Sequence, residues 1–169
     1  MMMHQENSTV YSASLDKMAK WVTAGVTLLF LFIVLSPLFT DQNGGWGTAV
    51  VSGVLLWSIY LVCYGLRPAG YVIQSDRLTI RRPFKNAVIL RSQIREVHLL
   101  DDEALKWSIR TFAVGGLFGY FGKFANTKLG SMTWYATRRT RAVLIRTVND
   151  KKIIVTPDNA GDFVRRLGE

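Results

Sequence analysis

Two long runs of apolar residues, 21–39 and 47–66, stand near the start of the chain, and neither contains Asp, Glu, Lys, Arg or His. They are 19 and 20 residues long, enough at 1.5 Å rise per residue to cross a hydrocarbon layer about 30 Å thick. The pattern predicts two transmembrane helices. Residues 40–46 (TDQNGGW) between them carry the Asp, Asn and paired Gly of a tight turn, so the helices form an antiparallel hairpin. Lys17 and Lys20 precede the first run, Arg67 follows the second, and the turn holds only Asp41. Lys and Arg near the ends of a span favour the cytoplasmic side, which places both termini in the cytoplasm, with Trp21, Phe39, Trp46, Tyr60 and Tyr64 as candidate interfacial anchors. A secretory signal peptide is the rival reading of the first run. Against it, the run exceeds a usual signal core, no small-residue cleavage site follows Phe39, and a second run comes at once.

After Arg67-Pro68 the period changes to two. Strands are predicted over 71–73, 77–82 (RLTIRR, with Leu78 and Ile80 on one face), 87–90, 94–100, 131–137, 142–148 and 151–155. Asn149-Asp150 is a two-residue hairpin signal between the last two. The pattern loosens over 101–130. Residues 1–13 show no apolar periodicity and read as a loose tail, after which Ser14, ahead of Asp16 and Lys17, is the expected N-cap of the first helix. Thr156-Pro157-Asp158 opens a closing helix, with Thr156 as N-cap and Pro157 at the first helical position, running through Phe163, Val164 and Leu167 to a stop at Gly168. The small residues Ala24, Gly25, Ala49, Ser52 and Gly53 would let the two spans pack closely. The predicted fold is α+β and mainly β. A tail (1–15) and a transmembrane hairpin (16–66) precede a soluble domain (67–169) of about seven antiparallel strands. These form a barrel or sandwich whose open end is plugged by Phe163 and Leu167 at i, i+4.

The order RLTIRR, AVILRSQIREV, GYFGKF, YAT and AVLIRTVNDKKIIVTPDNAGDFVRRL, over about residues 69–167, resembles the bacterial pleckstrin-homology (PH) domain families. In some of those proteins a domain of this kind follows one or two transmembrane helices. The resemblance implies a PH-like barrel and association with a bacterial inner membrane, and it implies little about chemistry.

Charge sharpens this picture. The chain carries a net +9, and residues 67–169 hold 19 Lys and Arg against 9 Asp and Glu, whereas residues 1–66 hold 2 against 3. A basic domain beside an anionic leaflet gains about 1 kcal/mol for each Lys or Arg at the surface; a solvated basic face is the plainer alternative. Cys63 is the sole cysteine, inside the second run, which excludes an intrachain disulfide or thiolate cluster and leaves packing as its role. His4 and His98 have no ligand spacing around them, so neither a metal nor a cofactor is expected. Asp101, Asp102 and Glu103 are contiguous and read as a solvated loop, because neighbours in an extended chain point to opposite faces. No catalytic residue is expected; an enzyme would need a pocket bringing Asp101 or Glu103 beside His98.

Two stretches could bind something. Residues 114–130 (VGGLFGYFGKFANTKLG) interleave glycines with aromatics, and Gly122-Lys123 resembles the end of a P-loop. Leu117 stands where the first P-loop Gly belongs and Phe124 where Ser or Thr would hold magnesium, so that reading fails. One expectation is that Phe118, Tyr120 and Phe121 dip into the headgroup layer with Lys123 on a phosphate. The other is that the aromatics pack inside the barrel and the glycines form bulges. The second stretch is the turn holding Arg138, Arg139 and Arg141, expected to face Arg81, Arg82 and Lys85; converging guanidinium groups would bind phosphate or an acidic partner. In eukaryotic PH domains basic residues around the first strand pair receive inositol phosphates, and Arg77, Arg81, Arg82 and Lys85 are the positional match, although the resemblance here is to the bacterial families. Nucleic acid is disfavoured as a partner, since the basic residues are scattered over turns and match no recognition motif. The expected role is a non-catalytic, membrane-anchored binding or assembly module. Its partner is a second copy, as a homo-oligomer, or another membrane protein, with anionic lipid headgroups as a secondary contact. The alternatives are an accessory subunit of a transport or export system and a basic phospholipid- or nucleic-acid-binding domain.

Overall fold

The structure, a computed structural model, describes residues 8–36 and 45–169. A short strand β1 (Thr9–Ser12) leads into helix α1 (Lys17–Leu35), and α2 (Gly45–Leu66) returns to a run of nine strands. These are β2 (Gly70–Ile73), β3 (Arg77–Arg81), β4 (Ala87–Leu90), β5 (Ile94–Leu99), β6 (Ile109–Gly116), β7 (Gly119–Asn126), β8 (Gly130–Ala136), β9 (Val143–Thr147) and β10 (Lys152–Val155), before the closing helix α3 (Ala160–Gly168). Most of the predicted turn between the apolar runs, Asp41 included, lies outside the described residues.

The strands form two sheets, ordered β1-β2-β3-β4 and β5-β9-β10-β8-β7-β6. Tyr71, Leu78 and Ile80 of the first share a core with Val143, Ile145 and Val155 of the second, and Phe163 and Leu167 of α3 are buried in it. Thus the two residues predicted to plug the domain do pack there. Barrel closure does not occur: β5 pairs with β9, and no ladder joins the two sheets among the described residues. Nor is every pair antiparallel, because β10 lies parallel to β8.

The tail supplies an unpredicted element. Residues 9–12, read as loose, pair antiparallel with β2 from Thr9↔Ile73 to Ser12↔Gly70. Four residues with one buried side chain carry almost no local signal; what orders them is distant in sequence. Tyr11 meets Phe163 edge-on at 5.1 Å between ring centroids, and its hydroxyl donates to Asp162 Oδ2 at 2.7 Å. The helical hairpin therefore interrupts a sheet between its first and second strands.

Both predicted helix caps move by two or three residues for a common reason. Ser14 does not cap α1, because its hydroxyl donates to Asp158 Oδ2 (2.7 Å); Asp16 takes the position and accepts from the Ala19 amide (2.7 Å). Thr156 does not cap α3, because its hydroxyl accepts from the buried Thr137 amide (2.9 Å); Asn159 caps instead, accepting from the Asp162 amide (3.3 Å). A tertiary partner outbid the local one in each case. α3 ends at Gly168, where the stop was expected, with the Glu169 amide donating to Arg165 O.

The two long helices touch through Thr27 and Tyr60, whose hydroxyls lie 2.6 Å apart, and through Phe30 against Trp57 and Tyr60. Of the small residues, Gly53 marks a close approach, where an added Cβ would come within 3.3 Å of Val34, whereas Gly25 faces open space. Both helices are long and apolar enough to cross a membrane. Leu28, Leu29 and Phe32 of α1 and Val50, Val51, Val54 and Leu55 of α2 are exposed.

Candidate functional site

The stretch whose pattern loosens, 101–130, holds the hairpin on which the helices rest. β6 and β7 run antiparallel from Ile109↔Ala125 to Gly116↔Gly119, with a bulge between Arg110 and Phe112. Leu117 and Phe118 form the turn, and Phe118 is left-handed at φ 57°. Glycines erase the alternation that would have announced these strands. Gly122 is the position that requires one: its φ is 112°, and a Cβ would lie 2.6 Å from the carbonyl oxygen of Phe112 on the paired strand.

The tip of this hairpin meets both helices. The Phe118 amide donates to Thr23 Oγ1 of α1 at 2.9 Å, and the Phe118 ring stands edge-on to Tyr60 (4.9 Å) and Tyr64 (5.4 Å) of α2. Arg67, at the foot of α2, holds its guanidinium 4.5 Å above the Tyr64 ring and 5.8 Å from Phe118. Successive residues of β7 then face opposite ways. Tyr120 joins Ala19 of α1 in a buried cluster with Phe124 and Trp134, and Phe121 packs with Cys63 of α2. The Tyr120 hydroxyl donates to Asp16 Oδ2 at 3.2 Å; burial first and the neighbouring Asp16 charge second push its pKa up to about 12.

This placement corrects the headgroup expectation for Phe118, Tyr120 and Phe121, which are 7, 1 and 5% exposed and spend their rings on protein. Packing inside the domain describes Tyr120, but Phe118 and Phe121 are covered by α2. Lys123 remains exposed. The exposed aromatics are others: Phe112 on β6 and Trp107 just before it are 84 and 91% exposed. Phe84 is exposed too, yet it abuts the end of α2. Its amide donates to Gly65 O at 3.0 Å, and any Cβ at Gly65 would fall within the Phe84 ring.

The basic turns divide. Arg138 is turned inward, pairing with Asp158 Oδ1 at 3.0 Å and donating to Pro157 O. Burial alone would raise the Asp158 pKa, but hydrogen bonds from Ser14 and the Arg138 guanidinium hold it below the usual carboxylate range. Arg139 lies over the Tyr120 ring at 5.0 Å and Arg82 over Tyr135 at 5.5 Å. Arg82 Nε also donates to Lys85 O, Arg77 is clasped by Asp76, and Arg141 gives its backbone amide to Asp102. Arg81, Lys85 and the Arg141 side chain are exposed. No hydrogen bond or ion pair bridges the two turns among the described residues, so the convergence predicted between them has no contact behind it.

The carboxylate beside His98 is Glu96 (3.2 Å), itself paired with Arg146; Glu103 pairs with Lys106. Sequence reasoning used Arg67 only as a flanking charge and passed over Phe84, Trp107 and Phe112 as site residues. Alternation would have marked Phe112 only if the bulge before it had been known.

Residues 69–169 match the model of a family described as Bacterial PH domain. No curated protein and no solved structure matches the chain. The matched segment opens just ahead of β2, so β1 and the helical hairpin lie outside it.

Proposed function

Because the chain belongs to the bacterial PH domain family, we propose that it is a non-catalytic binding and assembly module, anchored by α1 and α2 with its sheets at the cytoplasmic face of a bacterial inner membrane. Its main partner is a second copy of itself or another membrane protein, and anionic lipid is a secondary contact. The observation that carries this reading is that two long apolar helices keep Leu28, Leu29, Phe32, Val54 and Leu55 exposed while their domain-side ends are fastened to the sheets. A core helix would be covered, and a patch of this kind marks a membrane or an interface. Lys17, Lys20 and Arg67 cluster at the fastened ends, which favours the cytoplasmic side for the sheets. Assembly is supported by the free edge β4, where Val88 and Leu90 are exposed.

The test is the mass of the detergent-purified full-length protein by light scattering, with copurified protein and lipid identified in the same sample. A defined homo-oligomer, or a stoichiometric complex with a membrane protein, is expected. A bare monomer overturns assembly, and release of the protein from membranes by alkaline carbonate overturns anchoring.

A further inference from the structure

Between α2 and the β6–β7 hairpin runs a groove of about 600 Å³. Val62, Cys63 and Leu66 form its helical wall; Phe112, Val114 and Phe121 form the wall on the strands. We propose that this groove holds one acyl chain of an anionic glycerophospholipid, its phosphate held by Lys123. The proposal rests on the reading that α2 spans the bilayer.

Three observations fit that occupant. The helical wall is continuous with the bilayer-facing surface of α2, because Val62 is itself exposed and the groove ends at Leu66, one residue before the charge of Arg67. A lipid tail therefore enters sideways from the leaflet without crossing water. Phe112 is 84% exposed beside the groove, an apolar ring that water penalises and lipid covers. Charge sits where a headgroup would: Lys123, directly opposite the groove-lining Phe112 in the β6–β7 register, is exposed. A protein helix, about 10 Å across, would have to bury Lys123 along with its apolar face.

The full-length protein is reconstituted in phosphatidylglycerol vesicles and, separately, in phosphatidylcholine vesicles. Each contains a trace of the same lipid carrying a photoactivated diazirine on one acyl chain, and adducts are mapped by peptide mass spectrometry. Adducts are expected on 112–114 and 62–63 besides the exposed helix faces, several-fold more in phosphatidylglycerol. Lys123→Glu removes that preference and leaves adducts on Leu28, Phe32 and Leu55 unchanged, while Val114→Trp fills the groove and removes the β6 adducts alone. Adducts confined to the helix faces overturn the groove and leave the membrane reading standing. Absence of adducts from α1 and α2 as well overturns the membrane reading itself. Efficient bismaleimide linkage of Cys63 to Cys63 between copies, with loss of the β6 adducts, assigns the groove to a second copy and overturns the lipid.

Discussion

The two ends of one hairpin, β6–β7, treat the same kind of residue in opposite ways. At the tip, Phe118 and Phe121 are buried against α2 and Tyr120 against α1; at the base, Phe112 and Trp107 stand open. Composition does not distinguish these rings. What differs is whether another element is present to cover them, and at the tip that element is a helical hairpin belonging to a different part of the chain. Aromatic content therefore says that a stretch will meet an apolar surface, and the fold decides which one.

The largest effects should fall at the tip. Phe118→Ala removes a ring packed on Tyr60 and Tyr64 and should cost about 3–5 kcal/mol, the range for truncating a buried Phe. Phe112→Ala should stay within about 0.5 kcal/mol, as expected for an exposed position. Thermal unfolding in detergent checks both, and equal losses would erase the contrast. Gly122→Val comes next, at about 2 kcal/mol or more, because it adds left-handed strain to a clash with the facing strand. Gly130→Val shares the positive φ (70°) but meets only Lys152 Nζ, at 3.9 Å, and should cost less.

A second tie joins the two ends of the fold, because a carboxylate fastens the tail to the domain beside the Tyr11 ring. Asp158 joins Ser14 to Arg138 across the first and last segments. Its carboxyl is held below its ordinary value of 3.8, so its contribution is fully present above about pH 4 and lost as pH falls through the depressed value. Asp158→Asn should cost about 1 kcal/mol at pH 7, where the partly exposed pair is screened, and should flatten the acid limb of the stability profile. An unchanged acid limb would move that sensitivity to other carboxylates, such as Asp162, which the Tyr11 hydroxyl and Arg165 also hold low.

Legibility followed the same division. β4 was readable to the residue, and β2, β3, β5, β8, β9 and β10 to within one or two at each end, because Leu78, Ile80 and Ile145 alternate against a core built from nearby strands. Apolar length alone marked α1 and α2. β1, β6 and β7 were not readable: Tyr11 is ordered by Phe163 and Asp162, some 150 residues away, and the glycines of β6–β7 suppress the twofold pattern. The caps failed for the same reason, as Ser14 and Thr156 have the right chemistry but were claimed by Asp158 and Thr137. At the candidate site the aromatics were found and their partner was not, since nothing local announces that Phe118 will lie on Tyr60.

A single hydrogen bond separates the two jobs of α1. Thr23 and Thr27 sit one turn apart on that helix, yet Thr23 Oγ1 accepts from the Phe118 amide while Thr27 Oγ1 meets the Tyr60 hydroxyl. The first bond ties sheet to helix, and the second ties helix to helix. Thr23→Val keeps the shape and deletes the acceptor, at about 1 kcal/mol. Hydrogen exchange at the Phe118 amide should then quicken about fivefold. Thr27→Val should leave that amide unchanged, because its bond lies within the helical pair. If both variants quicken Phe118 equally, the tip and the helical pair open together, and the sheets and helices move as one body. If only Thr23→Val does, the hairpin tip can lift from the helices while they stay paired, and the domain would then have a joint where it meets the helical pair.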